Sequence, residues 1–336
     1  MILAACTAVA RSSDLLMKFS KIIILFLLFL SSLFANQHKR LAYIVSDTTI
    51  PFWQIMSKGI KEKAVEFGYE IDIYNSNNLK KNELENMALA LDKKIDGLII
   101  SPINSSTAAT LLEIAKINNI PVVIADIGSN SKDYISFISS DNKKGAYELG
   151  KILAKHMKNL SWDKEGTVGI ISIPQKRTNG KDRTLGFIQA LDEESIKVSG
   201  FYQQVDFSYE ETYNYSKKLI EENKNLRAIW LQGSDKYKGA LDAIKEANKQ
   251  KEIALVCFDA EPEFLEMIQN GNLVGSAMQQ PYIIGQEAVV TLNNYFNNKE
   301  VKKEQKMEIL SISKENIDDK LKIIKLNVLG IKSDEK

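Results

Sequence analysis

Two aspartates, Asp126 and Asp259, each close a short apolar run rich in β-branched residues, and aromatic side chains stand in comparable places at Phe52, Trp53 and Phe207. A carboxylate accepts hydroxyl protons in charge-assisted hydrogen bonds worth ~1.5 to 3 kcal/mol each. An aromatic face can cover the C–H side of a polar ring. With the amide of Gln279, this is apparatus for holding a small polyhydroxylated ligand. Other readings of the same residues stay open: Phe52 and Trp53 as core residues of a first helix, the two aspartates as loop caps, or two carboxylates facing one cleft as a glycosidase would have them.

Other chemistries lack their parts. The chain has two histidines, His38 near the start and His156 in a Lys-rich helix, both expected at the surface. There is no His-Glu-x-x-His, no Cys-x-x-Cys, no Gly-x-Ser-x-Gly elbow and no phosphate-cradling Gly-x-x-x-x-Gly-Lys-Ser/Thr; Gly180-Lys181 lacks both the earlier glycine and the following hydroxyl. The reading is therefore of a binding protein, with no catalytic residue, metal or cofactor expected.

The elements that must position these residues follow from pattern. From residue 41 onward, β-branched strands alternate with helical periodicity, the signature of parallel sheets with crossover helices. Strands are expected at 41–46, 69–74, 97–100, 121–125 and 134–138, with helices at 51–67, 79–93 and 105–118. After a polar link at 159–166 the scheme repeats. Strands fall at 167–173, 198–205, 228–231, 253–258 and 273–278, and helices begin near Lys181, Tyr209, Lys236, Pro262 and Pro281. The tail adds a strand at 307–312 and a mixed segment, 317–329, that pattern alone does not place. Open parallel sheets bind ligands at the carboxyl ends of their strands, where both aspartates lie.

The N-terminus is set aside first. Lys18 and Lys21 flank the start of an apolar run at 22–30, extended through Leu33 and Phe34 to Ala35. The run is shorter than the ~18 residues of a spanning helix, so a cut after Ala35 is expected, with an uncleaved anchor as the alternative. Residues 1–35 are thus expected to be a signal peptide with an upstream extension, Met17 being a conventional start. About 300 residues remain, enough for two lobes of ~150 each. Arg11, Lys18, Lys21 and Asp14 leave with the leader, so the net charge moves from +1 to −1. No basic field steers such a chain to nucleic acid. Only Cys257 is retained, which excludes an internal disulfide and suits a small buried residue.

Collinear motifs then bear a resemblance. They are residues 44–68, Gly97-Leu98-Ile99-Ile100-Ser101-Pro102, residues 120–126, Ser140-Asp141-Asn142, Arg183-Thr184-Leu185-Gly186-Phe187, Phe258-Asp259 and Lys314-Glu315-Asn316-Ile317-Asp318. Together they resemble the ribose- and galactose-type periplasmic sugar-binding proteins over essentially all of the mature chain. The resemblance implies an α/β, type I periplasmic binding fold: two doubly wound parallel-sheet lobes joined by a three-strand hinge. One lobe would take 37–140 plus 280–306 and the other 141–279 plus 307–330. Ligand contacts would fall on Phe52, Trp53, Ser101, Asp126, Lys181, Phe207, Gly233, Asp259 and Gln279, with Arg183 of the Arg183–Phe187 motif counted among them.

Four positions depart from the ribose-type pattern. Ile127 stands where that pattern has an arginine, Lys181 where it has a second, and Ser101 and Gly233 where it has asparagines. Lysine lacks the bidentate fork, so simple ribose is not expected; a different sugar or a polyol is the first expectation, and a small non-sugar effector stays open. The expected role is a monomeric periplasmic protein delivering its ligand to an ABC permease. The alternative is a ligand sensor presenting it to a chemoreceptor or histidine kinase. The related repressors carry a helix-turn-helix where this chain has its leader, which removes the DNA-binding reading.

Overall fold

The computed structural model describes residues 39–331, so the expected leader and His38 lie outside the described residues. The first sheet is built from β1 (Arg40–Val45), β2 (Glu70–Asn75), β3 (Gly97–Ser101), β4 (Val122–Ala125), β5 (Ser136–Ser140) and β11 (Glu304–Met307). Its order is β11-β5-β4-β3-β1-β2, parallel throughout. The second sheet holds β6 (Thr167–Ser172), β7 (Lys197–Gln203), β8 (Leu226–Leu231), β9 (Ala254–Phe258), β10 (Gly275–Met278) and β12 (Leu310–Ser313). Its order is β12-β10-β9-β8-β6-β7, with only β12 antiparallel. Both sheets belong to one compact unit that begins at Arg40.

Because strand side chains alternate between faces, each apolar strand feeds two cores. In β1, Leu41, Tyr43 and Val45 enter one cluster, and Ala42 and Ile44 the other. In β9, Leu255 and Cys257 face one cluster while Val256 and Phe258 face the opposite one. Cys257 is a free, fully buried thiol, the small core residue its neighbours suggested. Such double burial needs helices on both faces.

The first sheet is covered by α1 (Pro51–Glu66), α2 (Lys80–Asp92), α3 (Ser105–Ile117) and α9 (Pro281–Phe296). The second is covered by α4 (Asn142–Asn159), α5 (Thr178–Asp192), α6 (Tyr209–Glu222), α7 (Tyr237–Glu246) and α8 (Phe264–Asn270). Local chemistry explains two starts. Proline occupies the first turn of α1, and Asn104 and Thr107 form a capping box at α3.

The chain passes between the sheets three times: from β5 into α4 at Asp141, from β10 into α9 at Gln279 and Gln280, and from β11 into β12 at Glu308 and Ile309. The third passage corrects the expectation of a single strand at 307–312. Met307 ends a strand of one sheet and Leu310 begins a strand of the other, a division that a continuous run of residues does not reveal. The unplaced tail is α10 (Ile317–Ile323) followed by a π-helical turn, Ile324–Val328. Among the described residues no helix is long and apolar enough to cross a membrane.

Candidate functional site

Asp126 and Asp259 occupy matching places. Each follows the last residue of its strand, takes a left-handed backbone (φ +70° and +69°) and donates its amide to the neighbouring strand, to the carbonyls of Ile138 and Ala277. Left-handed conformations in non-glycine residues cost of order 1 kcal/mol and collect at functional sites. Here the bend turns both carboxylates into a cavity of about 60 Å³ between the sheets, lined also by Phe52, Trp53, Phe207, Gly233 and Gln279.

The aromatic walls come from both lobes. Phe52 and Trp53, in the first turn of α1, meet edge to face with ring centroids 4.8 Å apart. Trp53 also belongs to the first lobe's core cluster and is only 5% exposed, so its structural and lining roles coexist. Phe207 is held at φ +56°, its amide donating to Glu211 Oε2 at 3.0 Å.

Helix geometry decides the basic side chains. Residues four apart share a helix face, whereas residues two apart diverge by about 200°. In α5, Asn179 and Arg183 therefore turn together into the cavity, and Lys181 between them is exposed. The expectation for Lys181 is corrected accordingly. Arg183 is 3% exposed. It donates from Nε to Asn142 Oδ1 at 2.9 Å and from Nη1 to the Gln232 carbonyl at 2.6 Å, and it lies 3.6 Å from Asp259 Oδ2 with its guanidinium stacked on Phe258.

Ser101 is corrected too. It is fully buried, with its hydroxyl 2.8 Å from the Tyr43 phenol, and it does not line the cavity. Ile127 is buried in the first lobe's core. At Gly233 an added Cβ would come no nearer than 3.6 Å to any atom outside its own chain neighbours, so the missing side chain leaves room in the cleft.

Sequence reasoning missed Arg177, Asn179 and Asp235, all of which line the cavity. Arg177 and Asn179 thus add a second guanidinium and a further amide to the expected Arg183 and Gln279, and offset the departures at Ile127, Lys181, Ser101 and Gly233. The available signal was the polar density of residues 174–183 after a strand, combined with the i,i+4 spacing of Asn179 and Arg183.

Of the described side chains that line the cavity, two carry a buried acceptor without a partner: Asp126 Oδ1 and Gln279 Oε1. Their sister atoms are occupied. Asn179 Nδ2 donates to Asp126 Oδ2 at 3.3 Å, and Gln279 Nε2 donates to Asp259 Oδ1 at 2.6 Å. Burial pushes the Asp126 carboxyl up to about 6, with Asp259 adding to the rise while Arg183 and Arg177 oppose it. Burial likewise raises Asp259, against the pull of Arg183 and the Gln279 hydrogen bond. His156 lies away from this cleft, half-buried beside Trp162, and burial lowers its pKa.

Two six-stranded α/β lobes with three crossings and a polar cavity between them define a two-lobed binding protein. Residues 41–300 match the periplasmic binding protein domain family, and the chain belongs to it. It is 27% identical to the ribose import binding protein of Haemophilus influenzae over 281 residues, 83% of this chain and 93% of that one. It is 24% identical to the D-apiose import binding protein of Actinobacillus succinogenes over 280 residues, 82% and 88% of the two chains. Its fold matches a carbohydrate transporter solute-binding protein from Agrobacterium radiobacter solved with D-arabinose, with a TM-score of 0.79 and 21% identity, covering 88% of this chain and all of that one.

Proposed function

We propose that this chain is an exported solute-binding protein that captures one neutral monosaccharide or polyol between its lobes and delivers it to an ABC importer, catalysing nothing itself. The observation that carries the ligand class is the pair of buried, unpartnered acceptors, Asp126 Oδ1 and Gln279 Oε1. An unsatisfied buried acceptor costs ~1 to 3 kcal/mol, and hydroxyl donors between aromatic walls would satisfy both.

Charge supports a neutral ligand. Arg183 faces Asp259, and Lys236 sits 2.8 Å from Asp235. Asp126 and Arg177 then contribute one charge of each sign. Size supports a single ring, since a cavity of about 60 Å³ holds roughly four to six waters at ~10–15 Å³ each. The relatives are import binding proteins for ribose and D-apiose, which favours delivery to a permease over presentation to a sensor.

A thermal-shift screen of pentoses, hexoses and polyols tests this directly, because a ligand that binds only the folded state raises the melting temperature. Asp126→Asn and Asp259→Asn should each weaken the hit at least tenfold by calorimetry while remaining folded. Wild-type affinity in either variant removes that carboxylate from the site. Unchanged uptake of labelled ligand on deletion of the gene would count against import.

A further inference from the structure

Arg177 stands at the N-cap of α5, yet its side chain makes no cap hydrogen bond. It reaches to the other lobe instead, where Nε donates to the Ile103 carbonyl at 3.1 Å. That carbonyl belongs to a braced peptide: the Ile103 amide donates to Glu83 Oε1 at 2.8 Å, and Glu83 is 1% exposed. The guanidinium lies 5.4 Å over the Phe207 ring. Arg177 forms no ion pair with a described carboxylate within 4 Å, its Nη groups have no hydrogen-bond partner among the described residues, and its side chain lines the cavity.

A planar guanidinium presents donors in divergent directions from one rigid group. We propose that Arg177 is a specificity-determining contact that joins ligand capture to lobe closure: its Nη groups donate to a ligand hydroxyl oxygen while Nε holds Ile103 across the cleft. This rests on the polyol reading of the cavity.

A hydroxyl both donates and accepts, so one ligand can donate to Asp126 Oδ1 from the first lobe and accept from Arg177 of the second. Lysine at this position keeps the charge but has one nitrogen, which cannot serve both partners in fixed directions. Glu83 acts as a positioning residue by orienting the Ile103 peptide. A second cross-lobe bond, Asn179 to Asp126, ties the same end of α5 to the loop after β4 and keeps the lobes near enough for the Arg177 bridge to form.

The test uses the mature chain labelled at Lys81→Cys and Glu210→Cys, two exposed positions on opposite lobes. Spin-label distances are combined with calorimetry against D-ribose, D-apiose, D-arabinose and myo-inositol. The expected result is that Arg177→Lys and Arg177→Met weaken the best of these at least tenfold and shift the distances, with ligand at saturation, toward longer values. Glu83→Leu should lengthen them with a smaller loss of affinity. Wild-type affinity in Arg177→Met overturns the ligand contact, and lost affinity with the wild-type distance at saturation overturns the coupling. If no compound binds the parent chain, the polyol reading falls and takes the ligand contact with it. Ligand-free distances in the parent and Arg177→Met then still decide the bridge to Ile103, with equal distances overturning it.

Discussion

At the scale of single residues, the proposed ligand contact couples ionisation to binding. In the proposed function, ligand hydroxyls use the Asp126 carboxylate as acceptor, and burial raises its pKa to about 6. The association constant is therefore expected to halve near pH 6 and to fall about tenfold for each further unit of acidification. Calorimetry between pH 5 and 8 checks this, and a flat profile would separate Asp126 from the ligand. Stability runs the other way. The folded pKa lies above the usual 3.8, so the folded state binds this proton more tightly than the unfolded chain does. That contribution is complete below pH 3.8 and is lost as pH rises through about 6. Asp126→Asn should accordingly stabilise the ligand-free protein more at pH 7 than at pH 4. A contrast between two basic neighbours is equally sharp. Lys181→Ala should leave affinity and melting temperature within error, whereas Arg183→Lys, which loses the fork shared by Asn142, Gln232 and Asp259, should lower both, by about 2 to 4 kcal/mol in stability.

At the scale of elements, close helix pairs aim the site. In the first lobe α1 packs on α9 with glycines at the contact: a Cβ on Gly59 would strike the Tyr282 carbonyl, and one on Gly285 the Met56 carbonyl. In the second lobe α4 packs on α5, where a Cβ on Gly186 would strike the Lys143 carbonyl and one on Gly150 would lie 2.6 Å from the Ala190 Cβ. These backbone approaches set the positions of Phe52 and Trp53 on α1 and of Asn179 and Arg183 on α5. Gly186→Ala forces α4 and α5 apart and is expected to cost about 1 to 3 kcal/mol, with weaker ligand binding as Arg183 shifts. Urea unfolding with calorimetry measures both, and a variant as stable as its parent would show that the crossing yields.

At the scale of the whole molecule, the C-terminal tail ties into both lobes. Ile324, Val328 and Leu329 enter the second lobe's core. The Gly330 carbonyl accepts from Lys58 Nζ of α1 at 2.9 Å, and Asn327 Nδ2 donates to Gln280 Oε1 at the second crossing at 2.8 Å. Gln280 in turn donates to the Glu308 carbonyl at the third crossing. Truncation after Ile323 removes three buried apolar side chains worth ~1.5 to 3 kcal/mol each, so a loss of about 5 kcal/mol or more is expected, read as a large drop in melting temperature. A truncated chain that melts with the parent would make the tail dispensable.

The alternation of β-branched strands with helical segments by itself determined the doubly wound sheets, since strands buried on both faces must be apolar in both registers, as β1 and β9 are. It also determined the strand-end aspartates and the aromatics of α1, because a parallel sheet exposes the carboxyl ends of its strands to ligand. What only the tertiary structure decided was which polar side chains between the strands turn inward. Lys181 and Arg183 differ by two positions on one helix, and that rotation sends one to solvent and the other to Asp259. Ser101 closes a hydrogen bond with Tyr43 inside the lobe, and Arg177 meets Ile103 from 74 residues away. Such choices depend on helix phase and on contacts between segments distant in sequence, which periodicity along the chain does not carry.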